Sequence, residues 1–287
     1  MDTITGKSRH PFLCTDTSGM NLLEFDPEGN VIWKKHIGKI CFDVWALPDE
    51  KILYCFYDDG AARDSGVVLT DREGRIFFNY SSRYEIFGCQ PLPNGNVLAG
   101  ELRNKRVIEI ASDGSVQKQI NIDYEEENLH EAMRMPRKMA DGTYIVVQPG
   151  NRRIVRYSAD GNVIWSTFTR PDAFGFVEKP NGNIVYTSQT ALTEIDKSGR
   201  TVWEVTAEDI PQICVKWLLG VQLLENGNLA VCNWLGHGHE NEGTSIFEIT
   251  PDKQIVWECN IQQAAPNAAN FELLDCDLDA AMSRPMR

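Results

Sequence analysis

The chain reads as an all-β protein, a six-bladed β-propeller of four-stranded antiparallel blades closed by a C-terminal strand that completes the N-terminal blade. Three observations predict this. A phrase that joins a turn residue, a Gly or its substitute and a short β-run, usually ending in Trp, recurs six times: Asp26 to Trp33, Asp71 to Phe78, Ser112 to Lys118, Asp160 to Trp165, Lys197 to Trp203 and Pro251 to Trp257. The Gly-equivalent positions 29, 74, 114, 161, 199 and 253 fall roughly 40 to 50 residues apart, the period of a propeller blade. Between these phrases lies a second hairpin pattern, at Trp45 to Leu53, Gln90 to Leu98, Arg137 to Ile145, Val177 to Val185 and Gln222 to Ala230. Four of these five carry Asn-Gly or Asp-Gly, which supply the positive φ of a two-residue hairpin turn.

The third observation is the mismatch of five first hairpins with six second ones. The run Pro11 to Cys14 matches the second strand of a blade, and Phe271 to Asp275 matches Val221 to Glu225, so the C-terminus is expected to supply the inner strand of blade one. Such closure removes the exposed edges of an open array.

Taken in order, the elements form one propeller domain over residues 1–287. Blade one covers about 9–35 plus 270–276, blade two 41–80, blade three 86–120, blade four 130–168, blade five 173–206 and blade six 216–260. The Trp phrases serve blade packing and are left out of any site.

Composition narrows function. A net charge of -13 disfavours nucleic acid and anionic membrane surfaces as partners, because both reward clustered Lys and Arg. No run of 18 or more apolar residues exists, so no membrane insertion is expected, and the chain is read as a monomer. Residues 1–7 lack the apolar core of a signal peptide, which suits a cytoplasmic protein or a secreted one written without its leader. The eight Cys show no CxxC and no zinc-site spacing, and they are expected to pack as reduced, buried thiols.

Ligand sites in such a fold concentrate on loops held by rigid strands, here the blade-entry loops and those joining second and third strands. Aligning inner strands on their turns places Trp45, Gln90, Arg137, Val177, Gln222 and Glu272 at one equivalent position, either a ligand-binding ring or a solvated channel lining. His130 and Arg134 precede this ring on blade four. His130 is the candidate general base, or else a structural hydrogen-bonder. Arg134 and Arg137 could clamp a carboxylate or sulfate. Trp234 offers a face for a sugar ring. His237 and His239, two positions apart in a Gly-rich loop, are candidate ligands for a divalent metal.

At the Asn-Gly-Asn hairpins and the Asp-x-x-Gly-x-Val-x-Trp phrases the sequence resembles the pyrroloquinoline-quinone-like β-propeller repeat proteins, a group that includes six-bladed arylsulfotransferase-like relatives. Leu129 to Arg134, Lys216 to Gln222 and Val231 to His239 look like bacterial six-bladed propellers of uncharacterised activity from carbohydrate-handling contexts. The resemblance implies the fold and a substrate class; six blades argue against a quinone, and no cofactor is expected beyond a possible divalent metal. The expected function is recognition of a small or oligomeric acidic carbohydrate at the loop-rich end of the central channel. The alternatives are a carbohydrate-active or sulfuryl-transfer enzyme using His130 with Arg134 or Arg137, and a protein-interaction scaffold.

Overall fold

The computed structural model describes residues 3–6, 9–58, 64–236 and 238–275. Twenty-five strands occur among them. The first group runs β1 (Thr3–Gly6), β2 (Phe12–Asp16), β3 (Asn21–Phe25) and β4 (Val31–His36). Four sheets follow: β5 (Ile40–Leu47), β6 (Lys51–Tyr57), β7 (Ser65–Thr70) and β8 (Ile76–Ser82); β9 (Ile86–Pro91), β10 (Val97–Glu101), β11 (Arg106–Ile110) and β12 (Val116–Asn121); β13 (Arg134–Lys138), β14 (Tyr144–Gln148), β15 (Arg153–Tyr157) and β16 (Val163–Phe168); β17 (Phe176–Glu178), β18 (Ile184–Thr187), β19 (Ala191–Ile195) and β20 (Thr201–Thr206). The last described strands are β21 (Leu218–Leu223), β22 (Leu229–Asn233), β23 (Ile246–Ile249), β24 (Ile255–Asn260) and β25 (Ala268–Leu273). These six antiparallel sheets are the blades of a six-bladed β-propeller fold.

The closure expected from the repeat count is present. β25 pairs antiparallel with β2, Phe12 opposite Leu273 and Cys14 opposite Phe271, which completes the sheet β25-β2-β3-β4. The other end of the chain adds a feature that the repeats did not predict. β1 pairs with β24, Thr3 opposite Asn260 and Gly6 opposite Trp257, and makes the sixth sheet five-stranded. Gly6 is required there: at φ +109° a Cβ would lie 2.3 Å from the Val256 carbonyl oxygen.

The chain packs as two compact units, one holding the first, fifth and sixth sheets and the other, over residues 41–173, the second to fourth. In both, most of the three inner strands are continuously buried while the fourth is largely exposed, as in β9 against β12 or β3 against β4. Trp45, Cys55, Phe78, Cys89 and Ile108 share one apolar cluster in the 41–173 unit. Phe12, Cys14, Cys232, Trp257 and Phe271 share one in the other. Among the described residues six Cys are buried free thiols and Cys214 is exposed. Burial pushes the Cys14 and Cys89 thiols well above the usual range, so they serve as small apolar groups rather than nucleophiles.

The hairpin turns differ from the two-residue form expected from Asn-Gly. At Asn94-Gly95 only the Gly has positive φ, the Gly95 N–H donates to the Leu92 carbonyl and the Leu92 N–H to the Asn96 carbonyl. This is a three-residue turn ending in a left-handed Gly, and Gly142, Gly182 and Gly227 repeat it. The Asn94 side chain accepts from the Asn96 N–H, so it closes the turn as an Asx motif instead of adopting positive φ itself. The turn with two consecutive positive φ values lies at Asp49 and Glu50, where there is no Gly.

Candidate functional site

The loop ends of the third and fourth sheets bring together an acid and a base that the chain keeps far apart in sequence space from the turn motifs. The segment before β13 forms a single 3-10 turn, Leu129–Glu131. It is held from both sides: the Tyr124 hydroxyl donates to the Asn128 carbonyl at 2.8 Å, and the Gly150 N–H donates to the Glu131 carbonyl at 3.2 Å. A Cβ at Gly150 would lie 2.1 Å from the Tyr124 hydroxyl, so this loop docks only against a glycine.

His130 stands on that turn with 41% of its side chain exposed, and its Nδ1 lies 3.4 Å from Oε2 of Glu85, which precedes β9. The distance is long for a hydrogen bond. Glu85 Oε2 is shielded from solvent and has no hydrogen-bond partner among the described residues. Its other oxygen accepts from Arg103 Nη2 at 3.2 Å. Burial opposes the charge on Glu85, yet His130 and then Arg103 outweigh it and hold the carboxyl below the ordinary glutamate range. The imidazole also meets the Phe87 ring edge-on, 5.0 Å between centroids. Phe87 belongs to an aromatic floor with Phe42 at 4.8 Å and Tyr57 at 4.7 Å.

Arg134 covers the Phe87 ring, its guanidinium carbon 4.5 Å from the centroid, and donates to the His130 and Met133 carbonyls. Burial pulls its pKa down to about 10, which leaves it charged at neutral pH. Its role here is to hold the His130 turn against the aromatic floor.

Arg137 is more deeply placed. It is 2% exposed and forks onto the fully buried Asp43, Nη1 to Oδ2 at 2.9 Å and Nη2 to Oδ1 at 3.3 Å. Asp43 also accepts from the Cys89 N–H at 3.0 Å, and Arg137 lies 5.1 Å over the Trp45 ring. Trp45 donates Nε1–H to the Cys89 carbonyl at 2.7 Å.

The two glutamines of the aligned position behave alike. Gln90 accepts from the Lys138 N–H at 2.7 Å and donates to the Lys138 carbonyl at 3.1 Å. Gln222 accepts from the Leu273 N–H at 3.0 Å. Each amide acts as a rung between neighbouring inner strands, and with Trp45, Arg137 and Glu272 it is buried. Trp234 is half-buried, donates to the Thr17 hydroxyl at 3.0 Å and meets Trp217 edge-on. His239 pairs with Glu242 at 2.9 Å, and Glu242 also pairs with Lys216; His237 lies outside the described residues. Among the described residues no three of His, Cys, Asp and Glu gather in a metal-binding group.

Of the residues singled out in the sequence, the structure therefore brings His130, Arg134, Arg137, Trp45 and Gln90 into one unit, and only His130 among them keeps a substantial solvent face. Glu85, Asp43 and Phe87 were missed. Their signal was available in position, since Glu85 and Phe87 flank the start of an inner strand and Asp43 stands two residues before Trp45 on another.

No family model matches the chain, and no curated protein does. Solved structures do. A protein of unknown function from Bacteroides caccae is 20% identical, with a TM-score of 0.80 over 92% of this chain and 98% of that one. A streptogramin B lyase is 14% identical, with a TM-score of 0.60 over 90% of this chain and 82% of that one. A catalytically inactive His-to-Ala variant of virginiamycin B lyase from Staphylococcus aureus, solved with quinupristin, is 14% identical at a TM-score of 0.60, covering 92% of this chain and 90% of that one. At such identities the likeness is one of fold.

Proposed function

We propose that the chain binds a small ligand at the loop ends of its third and fourth sheets, with His130 as the contacting and reactive group and Glu85 as the carboxylate that orients it. The observation that carries this reading is the pairing itself: a half-exposed imidazole backed by a carboxylate whose near oxygen is shielded from water. A carboxylate at Nδ1 favours the tautomer that leaves Nε2 as an acceptor. The ligand class is an acidic carbohydrate. Its anion would meet the protonatable imidazole and the Arg103 guanidinium, which is 35% exposed, rather than the buried Arg134 and Arg137. The repeat phrases support kinship with the pyrroloquinoline-quinone-like repeat proteins in architecture, and this reading calls on no quinone.

The same pair favours a second reading, in which His130 removes a proton next to a carboxylate and the chain is a lyase. Two of the similar structures are of lyases, one of them made inactive by a His-to-Ala change. A uronate suits both readings, because it carries the anion to be bound and an acidified neighbouring C–H. The test is a thermal-shift and ultraviolet-absorbance screen against uronate oligosaccharides. A binding uronate should raise the melting temperature, and His130→Ala should weaken that binding at least about tenfold, the scale of a lost charge-assisted hydrogen bond. Turnover would add the absorbance of an unsaturated product, lost in the same variant. Uronate binding that His130→Ala leaves intact would overturn the proposal.

A further inference from the structure

The fourth sheet carries a second feature that shares no residue with the His130–Glu85 pair. A pocket of about 920 Å³ lies at its loop end, lined by the 123–126 segment, the β14–β15 loop and the end of β16. Phe168, the last residue of β16, lines it with 83% of its surface exposed, against 41 to 61% for the other exposed large apolar side chains.

Comparison of the repeats shows how far this corner departs from the pattern. In four sheets the residue after the outer strand donates its N–H back to the loop between the second and third strands: Ile37 to Met20, Ile122 to Lys105, Thr169 to Arg152 and Ala207 to Thr190. At that position the other three sheets have Ile, Ile and Ala, while the fourth has Thr169, whose hydroxyl is buried without a hydrogen-bond partner among the described residues. One residue earlier the other three have the polar His36, Asn121 and Thr206, while the fourth has Phe168. Polar and apolar are thus exchanged at two adjacent positions of one repeat. The exchange puts a phenyl face in water and a hydroxyl out of it, and both choices work against folding unless something else uses them.

The remaining lining suits a neutral partner. Asp123, Glu125 and Glu126 supply carboxylates and Arg152 and Arg153 guanidinium groups, with the Asn151 amide between. Arg153 is held by Gln148 at 2.6 Å and Asp123 at 3.1 Å, whereas the Arg152 side chain has no partner among the described residues. An acidic sugar would face three carboxylates and a polyamine two guanidinium groups. A neutral sugar ring meets neither penalty: its C–H face packs on an exposed phenyl ring, and each hydroxyl both donates and accepts. We infer that this pocket is a binding subsite for neutral carbohydrate, with Phe168 under the pyranose ring and Arg152 and Asn151 on its hydroxyls.

The experiment is native affinity electrophoresis of the whole chain in gels containing xylan, mixed-linkage β-glucan, galactomannan, polygalacturonate or polylysine. At least one of the three neutral polysaccharides should retard the protein. Phe168→Ala should weaken that retardation at least about tenfold, as expected when an aromatic anchor is lost, while Phe168→Trp keeps it. Phe77→Ala, which removes an exposed ring from the second sheet, should leave it unchanged. Because Phe168 is so exposed, its loss should not affect folding. Retardation by polygalacturonate or polylysine alone, by none of the polymers, or retardation that survives Phe168→Ala would overturn the inference. Loss in His130→Ala with retention in Phe168→Ala would also do so, and would move the glycan to the pair described above.

Discussion

Two acid–base pairs in the same unit, Asp43 with Arg137 and Glu85 with His130, use similar chemistry for opposite ends. The first is buried on both sides, geometrically forked and surrounded by further backbone bonds to Cys89. The second has its carboxylate shielded and its base 41% exposed, at a looser 3.4 Å. A pair sealed from water is committed to the fold, since neither charge can turn to a ligand without leaving the other uncompensated. A pair with one open face retains a group that can exchange protons.

This contrast can be broken first at Arg137. Arg137→Ala leaves the Asp43 carboxylate buried without its counterion and should cost about 3 to 5 kcal/mol in urea denaturation. Replacing both residues by apolar side chains of similar volume should recover much of that loss. A cost for Arg137→Ala within about 1 kcal/mol, the range of an exposed pair, would erase the distinction.

A third ionic cluster in the other unit lies between these extremes. His10, 14% exposed, bridges Asp275 at 2.8 Å and Glu248 at 3.1 Å, joining the residue just past β25 to β23. Burial opposes its charge, but the hydrogen bonds to Asp275 and then Glu248 win and raise its pKa to about 9 from 6.5. Because the folded value is the higher one, the stabilisation is complete below pH 6.5 and disappears as pH rises through about 9. Its size should be about 1.5 to 3 kcal/mol, the scale of hydrogen bonds to charged groups. Comparing His10→Ala with the parent chain from mildly acidic to alkaline pH should show a gap that closes on the alkaline side; a gap independent of pH would mean that the imidazole only packs on Trp257.

The smallest stability effect is expected at the half-open pair, whose carboxylate keeps Arg103 as a partner when His130 is removed. Glu85→Gln and His130→Ala should each change folding free energy by less than about 1 kcal/mol, with Glu85→Gln shifting the pH profile of ligand binding instead. A loss as large as that of Arg137→Ala would make this pair structural too.

Much of the fold was legible. The repeat phrases located the strands because each blade must place a left-handed Gly at one hairpin and a buried run beside it, and Phe271 to Leu274 could be matched to an inner strand by its apolar pattern alone. The N-terminal strand was not legible, because Thr3–Gly6 is too short and polar to announce itself and is defined by the edge of β24 that it covers. The Trp residues of the repeat also differ: Trp257 is fully buried, with His10 and Phe12 edge-on to its ring, while Trp33, Trp165 and Trp203 in the same phrase stay half-buried. The site was less legible still. Arg137 stood in sequence as one polar member of the aligned inner-strand ring, and nothing in its neighbours revealed Asp43.

By itself the sequence determined the six four-stranded repeats, their order and the closing strand, because those follow from turn residues and apolar runs that act over a few positions; the edge strand β1 was settled only by its pairing with β24. Only the tertiary structure decided which polar groups remain available. Asp43 and Arg137 meet across 94 positions and Gln90 and Lys138 across 48, so their burial depends on how whole sheets pack. Access to water is a property of that packing, and it separates the half-exposed His130 from the sealed Arg137.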